Sequence, residues 1–263
     1  MRLVLGLIAV LTALSASLVA VATAGQGQGR PALPPGAVEV GEGTYYLGKK
    51  KVDGVELQGY AFVHRRGDAR SAGKPGGGSG STCYSLLASG AKWKTTEPFE
   101  VNTTTAPAGV ATMLESITTD VDTWEAAAGN TSILGDGTSN GGYTANLNAV
   151  DGVNGAEFAS IADPGVIAVT YTWGYYGGPA KFRELVEWDM LFDDDGDFTW
   201  ATDGLTNAMD FENIVTHELG HAMGLGHPSG TCTEETMYAY ASNGETKKRT
   251  LNAGDIAGIN VMY

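Results

Sequence analysis

Hydrophobic and polar positions change their period along the chain, and each change predicts a different element. Short β-type runs separated by glycine-containing turns over residues 38–63 predict a small antiparallel meander. Apolar residues recur every three or four positions over residues 111–128, which predicts an amphipathic helix. Two runs of β-branched and aromatic residues, 166–173 and 185–192, predict buried strands.

The last third of the chain adds a second helix. Residues 210–224 have helical spacing, with the acidic Asp210 at the start and Gly224 at the end. Residues 130–154 are rich in Gly, Asn, Thr and Ser, and we predict a loop there. Helices and strands are mixed without strict alternation, which predicts an α+β fold.

Breaker residues divide the chain. The segment 73–81 contains mostly glycine and serine with one lysine and one proline, and it is the strongest candidate for a linker. We therefore predict a boundary near residue 82, with an N-terminal segment over residues 25–82 and a main domain over residues 83–263. The N-terminal segment is interpreted either as a removable propeptide or as a permanent domain.

The first 24 residues have the character of a secretory signal peptide. Arg2 precedes an apolar run over residues 3–22, and the small–x–small ending Ala22-Thr23-Ala24 follows. We predict cleavage after Ala24 and a secreted, extracellular protein. The alternative is an uncleaved membrane anchor, because the run approaches the roughly 20 residues that span a bilayer. No later segment of the sequence has that character, so we expect no stable membrane insertion after cleavage.

Composition and charge narrow the classes of partner. The chain has 263 residues, of which 43% are hydrophobic and 17% are charged, and this suffices for one sizeable core. The formal net charge of −14 would repel nucleic acid and anionic membrane surfaces, so neither is predicted as a partner. Solubility is the ordinary reason for such a charge.

Two cysteines, Cys83 and Cys232, are present in the whole sequence. In an exported protein an even pair predicts one disulfide first. Two alternatives stay open at this point. The cysteines could be unpaired buried thiols, or Cys83 could supply a thiolate that blocks a metal.

The candidate chemistry lies in the eleven-residue segment 217–227. His217 and His221 are four residues apart and therefore share one face of a helix. Gly224 permits the chain to turn back, so that His227 can become a third ligand. Three histidines leave one position open on a zinc ion, which is the arrangement of a catalytic rather than a structural site. Glu218 is then placed to act as general base toward water.

This signal is specific. Three of the four histidines in the chain fall within the segment 217–227. The alternative, solvated histidines on a surface helix, is disfavoured because the extended pattern is a known zincin signature.

These residues resemble the metzincin clan of metallopeptidases, and within it the matrixins. Thr236-Met237-Tyr238 is similar to the matrixin turn whose methionine packs beneath the metal, and residues 251–259 resemble the start of the closing helix. The likeness is dense over residues 183–263, thinner over residues 92–173 and absent before residue 82.

The resemblance implies a metzincin-type zincin catalytic domain over residues 83–263, with a twisted mixed sheet, an antiparallel edge strand, an active-site helix, a Met-turn and a C-terminal helix. It implies hydrolysis of peptide bonds in protein substrates, with zinc as the one metal of the site. Residues 188–193 would match the edge strand along which substrates lie. A second zinc is not expected, because only His64 remains and it lies outside the predicted catalytic domain. We expect a monomer.

Departures from the matrixin pattern keep two alternatives open. Pro228 directly after the third histidine is more like the serralysins, and the surroundings of Cys83 do not match the matrixin propeptide segment whose thiolate blocks zinc. The alternatives are a serralysin-like peptidase and a catalytically silent zinc-binding module of the same fold. The intact Glu218 argues against the silent module. A metal-dependent hydrolase of another bond type is disfavoured, because the turn and the closing helix match peptidases.

An acidic turn is a candidate calcium site. Asp193, Asp195 and Asp197 surround Gly196, and hard calcium ions prefer several oxygen ligands in a tight turn. The matrixin resemblance supports calcium near the corresponding strand end. The alternative is a solvated acidic turn.

Overall fold

A computed structural model describes residues 29–67, 80–147 and 149–263 of the chain. The predicted signal peptide, residues 1–24, and most of the predicted linker, residues 73–81, lie outside the described residues. None of the helices within the described ranges has the length and apolar character needed to cross a membrane.

The described residues form thirteen strands and three α-helices. The strands are β1 (Val38–Gly41), β2 (Thr44–Val52), β3 (Val55–Arg66), β4 (Ser85–Leu86), β5 (Glu97–Val101), β6 (Leu134–Ser139), β7 (Gly155–Ala159), β8 (Val166–Tyr175), β9 (Glu184–Asp193), β10 (Trp200–Ala201), β11 (Met209–Asp210), β12 (Leu225–Gly226) and β13 (Tyr240–Ala241). The helices are α1 (Met113–Ala127), α2 (Phe211–Ala222) and α3 (Ala253–Met262).

One nine-stranded sheet organises the molecule. Its order is β1-β2-β3-β8-β9-β7-β5-β6, and β13 pairs with β3 at the side. From β1 through β2, β3 and β8 to β9 each successive pair is antiparallel, whereas β9, β7, β5 and β6 run parallel to one another, and β13 runs parallel to β3. This mixed sheet with three helices confirms the α+β prediction. The N-terminal meander β1–β3 is part of the same sheet as the main domain.

The prediction that residues 188–193 form the edge strand is wrong. These residues belong to β9, which lies inside the sheet between β7 and β8. In the main domain it is β8 that ends the antiparallel side, and β3 pairs along it. Periodicity cannot distinguish the two, because both β8 and β9 are almost entirely buried.

The predicted loop over residues 130–154 is wrong for residues 134–139, which form β6. This strand runs parallel to β5 at the far side of the sheet. One of the glycines that suggested a loop has a packing reason: a Cβ on Gly137 would overlap the ring of Phe99.

Helix α2 carries the candidate metal ligands, and its sequence fixes both of its ends. The carboxylate of Asp210 accepts a hydrogen bond from the backbone N of Asn213 at 2.9 Å, which caps the first turn. Two residues after the helix ends, Gly224 adopts a φ of +100°, which only glycine takes readily. The indole of Trp124 on α1 donates to the carbonyl of Thr216 at 2.8 Å and joins the two helices.

Apolar clusters pack on both faces of the sheet. The larger one includes Trp124, Trp188 and Met237 and lies between the sheet and the helices. The smaller one, on the other face, includes Val63 of β3 and Tyr171 of β8. Strand β3 therefore contributes to the core, with alternate side chains facing opposite sides.

Candidate metal centre

Three histidine rings converge at the end of α2. His217 and His221 are one turn apart on this helix, and both are fully buried. The turn at Gly224 brings His227 back toward them. The Nε2 atom of His221 lies 3.0 Å from that of His217 and 3.1 Å from that of His227, and the third separation is 3.2 Å. These three side chains form one of the groups in the described chain that could hold a metal ion.

The opposite nitrogen of each ring faces a backbone carbonyl. The Nδ1 atoms of His217, His221 and His227 lie 2.7, 2.9 and 2.7 Å from the carbonyl oxygens of Thr236, Leu225 and Glu42. A carbonyl can only accept, so each Nδ1 carries the proton and each Nε2 presents a lone pair.

These nitrogen atoms are suited to zinc. Burial lowers the pKa of His217 and of His221 well below the usual value, and it lowers the pKa of His227 to about 4. The neutral imidazole is the ligand form of histidine. Three lone pairs about 3 Å apart repel one another unless a cation lies between them, so the geometry fits the predicted metal.

Glu218 lies next to this cluster and is fully buried. Its Oε2 accepts a hydrogen bond from the hydroxyl of Thr170 on β8 at 2.6 Å, and its Oε1 lies 3.0 Å from Nδ1 of His64. Burial raises the pKa of Glu218 to about 8. A carboxyl group with such a pKa can both take up and release a proton near neutral pH.

His64 is a site residue that sequence reasoning missed. It was placed outside the predicted catalytic domain, yet β3 brings it into the centre, fully buried, with its ring 3.9 Å from that of His217. It forms the second possible metal-binding group, together with His217 and Glu218. The one signal in the sequence was the scarcity of histidine.

A second side chain of β3 lies against the cluster. Phe62 stacks on His221 with the ring centroids 4.0 Å apart and the planes within 5°. Phe62 and His64 are two positions apart on a strand, so they face the same side of the sheet. The N-terminal segment therefore covers the histidines.

Lys248 is buried beside His64. It lies in a short 3₁₀ turn, Lys247–Arg249, and its ammonium group is 3.1 Å from Nε2 of His64 and also contacts the carbonyl of Tyr238. Burial lowers its pKa to about 7. Since an ammonium only donates, Nε2 of His64 accepts, and the Nδ1 proton of His64 is donated to Glu218.

Met237 lies directly beneath α2. A Cβ on Gly220 would overlap the sulfur of Met237 and come within 2.8 Å of Trp124, so the side chain of Met237 packs directly against the backbone of the helix. The carboxylate of Asp255 accepts hydrogen bonds from the backbone N of Thr236 at 2.7 Å and of Met237 at 3.1 Å. Helix α3 thereby fixes the turn.

The predicted disulfide between Cys83 and Cys232 is confirmed, with a Cα–Cα separation of 5.6 Å. It braces the loop between His227 and Met237 from the start of the main domain. Because its sulfur is bonded, Cys83 does not supply a thiolate to the histidines, and that alternative does not describe this structure.

Two of the candidate calcium ligands accept hydrogen bonds from backbone N–H groups. Asp193 Oδ1 accepts from the backbone N of Ile161 at 2.8 Å, and Asp195 Oδ1 accepts from the backbone N of Asp197 at 2.8 Å. The described residues contain two groups of side chains that could hold a metal ion, and both include histidine. Neither group includes Asp193, Asp195 or Asp197. Calcium stays a prediction.

Comparison with known proteins adds a family to this geometry. The matrixin family model of M10 peptidases matches residues 177–263, which contain α2, His227, Met237 and α3. This part of the chain is matrixin-like.

Matrilysins and plant metalloendoproteinases are similar to part of this chain. Human matrilysin is 37% identical over 87 residues, which cover 33% of this chain and 27% of that protein. Rat matrilysin is 39% identical over 75 residues, covering 28% and 26%. The Arabidopsis thaliana metalloendoproteinase 1-MMP is 42% identical over 57 residues, covering 21% and 15%. The chain thus spans about a quarter or less of the length of these relatives, and the segment with His64 lies before the matched region.

Proposed function

We propose that this matrixin-like chain is a secreted zinc endopeptidase. The observation that carries the proposal is the convergence of three neutral Nε2 atoms, each with its Nδ1 fixed by a carbonyl, beside a carboxyl group with a raised pKa. The likeness to matrilysin and to plant metalloendoproteinases supports the same chemistry.

Each residue has a defined role in this proposal. His217, His221 and His227 hold one zinc ion, and Met237 supports them from below. A bound zinc ion would supply Lewis-acid chemistry toward the substrate carbonyl and water. Glu218 removes a proton from the attacking water and passes it to the amine of the leaving peptide as the C–N bond breaks.

The substrate is an extended polypeptide that adds to the sheet as a further strand. Strand β8, rather than β9, is the strand that offers an edge, because it ends the antiparallel side of the main domain. Thr170 on β8 donates to Glu218, so the strand that aligns the substrate also orients the base.

Export, monomeric state and calcium belong to the proposal as well. The signal-peptide character of residues 1–24 supports secretion, and a disulfide fits an oxidising compartment. N-terminal sequencing of the mature protein from a secreting host tests cleavage after Ala24, and light scattering tests the monomer. Structural calcium at Asp193–Asp197 predicts a lower melting temperature after calcium is removed with EGTA, in a protein whose zinc is retained.

The decisive experiment is hydrolysis of denatured casein by the zinc-loaded chain over several hours, with and without 1,10-phenanthroline. Glu218→Gln keeps the shape of the side chain but cannot accept the proton, so activity should fall about 10²–10⁴-fold. Zinc content should stay at one per chain, measured by atomic absorption. Cleavage that persists with the chelator or in the variant contradicts the proposal. Zinc binding with no cleavage by any form of the chain supports the silent module.

A further inference from the structure

Strand β3 lies where an added substrate strand would lie. It runs antiparallel to β8, with Phe62 opposite Thr170 and Val63 opposite Val169. On its other side, its last residues run parallel to β13, with Arg65 opposite Tyr240. A segment of the N-terminal part thus fills the groove between two strands of the main domain.

Backbone hydrogen bonds fix the end of β3 from both sides. The backbone N of Arg66 donates to the carbonyl of Gly165 at 2.8 Å, beside β8. The backbone N of Gly67 donates to the carbonyl of Ala241, in β13, at 3.1 Å. Alternate backbone groups of an extended peptide satisfy both walls in this way when the peptide augments a sheet.

The side chains of β3 that face the groove leave the base without a free oxygen. His64 bonds one carboxyl oxygen of Glu218, and Thr170 bonds the other. Phe62 covers the ring of His221 on the same side. Because Glu218 is also fully buried, water from the groove reaches its carboxyl group only when His64 moves away.

The turn before β2 adds a contact with the third histidine. The carbonyl of Glu42 accepts from Nδ1 of His227, and the carbonyl of Gly43 accepts from the backbone N of Val63 at 2.8 Å. Gly43 has a φ of +62°, and a Cβ there would lie 3.2 Å from the ring of His227. The meander therefore fits closely around the site.

We propose that the groove between β8 and β13 is the substrate groove and that β3 occupies it as an internal substrate mimic, so that this form of the chain is latent. The inference rests on the proposed function and adds its regulation. It requires no thiolate, since Cys83 is in a disulfide. Substrate gains access when β3 leaves the edge of β8.

The test compares two full-length, zinc-loaded double variants. Phe62→Ser with His64→Ser removes the two side chains that face the histidines. The matched control is Val55→Ser with Glu56→Ser, at the exposed start of the same strand. One readout is cleavage of an internally quenched peptide. The other is binding of a fluorescent peptide hydroxamate, which needs an open groove and the zinc but no hydrolysis.

We expect the groove-facing variant to gain at least about tenfold in both readouts over the wild type, and the control to match the wild type. Gain of hydroxamate binding with no cleavage by any form would contradict the proposed function, whereas the occupation of the groove by β3 would stand. A folded, zinc-loaded groove-facing variant that gains neither overturns the inference. So does a loss of activity, because β3 would then be part of the working site.

A second measurement needs no variant and covers the case in which the double variant fails to fold. Hydrogen exchange is followed on wild-type chain at increasing hydroxamate concentration. If ligand and strand compete, the backbone amides of His64 and Arg66 should exchange faster as the hydroxamate binds. Binding of the hydroxamate while these amides keep their protection overturns the inference.

Discussion

The two regions that meet at the metal centre are specified in different ways. The ligands come from α2 and the turn after it, within the eleven residues 217–227, where helical spacing and one glycine place the rings. The cover comes from β3, and His64 is 154 residues from the Glu218 it bonds. Local spacing thus specifies the chemistry, and long-range strand pairing specifies whether a substrate reaches it.

The largest effect is expected from removing the disulfide. This change tests whether the metal ligands depend on a long-range link as well as on local spacing. Cys83→Ser with Cys232→Ser opens a loop with a sequence separation of 149 residues. The chain-entropy model gives a loss of roughly 5 kcal/mol in the free energy of unfolding. Chemical denaturation measures it.

Because α2 positions the ligands locally, the fraction of the disulfide variant that stays folded should still bind one zinc per chain. Loss of zinc from a folded variant would show instead that the loop brace, and not the helix, positions the ligands.

A smaller loss is expected where the helix touches the Met-turn. Gly220→Ala would improve helix propensity, but the new methyl group overlaps Met237. We expect about 1–3 kcal/mol of destabilisation from overpacking, together with weaker zinc binding. Thermal unfolding and a zinc competition titration measure the two effects. The control is Gly80→Ala, where a Cβ meets nothing within 4 Å; equal behaviour of the two variants would refute a special contact at Gly220.

The smallest effect is expected at Lys248, which connects the cover to the main domain. Burial lowers its pKa to about 7, from an ordinary value near 10.5. Below pH 7 the lysine is charged in both the folded and the unfolded chain. The folded chain then bears the full cost of burying that charge. Between pH 7 and 10.5 the unfolded chain binds the proton and the folded chain does not. The contribution of Lys248 to stability therefore rises with pH across this window.

Lys248→Met should remove that rise and raise the melting temperature of the zinc-loaded chain by about 2–4 °C near pH 6, which corresponds to ~1 kcal/mol. Scanning calorimetry from pH 6 to 9 checks it. The control is Lys94→Met, at an exposed lysine. An unchanged slope in Lys248→Met would contradict the assigned pKa.

Much of the main domain could be predicted from the sequence because its signals are local. The spacing of His217 and His221 predicted their shared face, Gly224 predicted the end of the helix, and the even cysteine count predicted the disulfide. Amphipathic spacing also predicted α1 within two residues at its start and one at its end. Each of these predictions depends on residues that are close in the sequence or on the even number of cysteines.

The remainder depends on contacts between distant segments. Periodicity showed that β8 and β9 are buried and could not order them in the sheet. Gly137 of β6 suggested a loop because its packing partner, Phe99, lies on another strand. His64 was placed outside the predicted catalytic domain, because nothing near it in the sequence indicates that β3 pairs with β8 and reaches Glu218.

The carbonyl of Glu42 that fixes His227 has a thermodynamic consequence. If the meander leaves, this ring loses the partner that sets its tautomer, so the open form should bind zinc more weakly than the closed form. Linkage is reciprocal, and zinc must then favour the closed form by the same factor. Metal and strand would act as positive allosteric effectors of each other, and metal-depleted protein should open its groove more readily than the loaded enzyme.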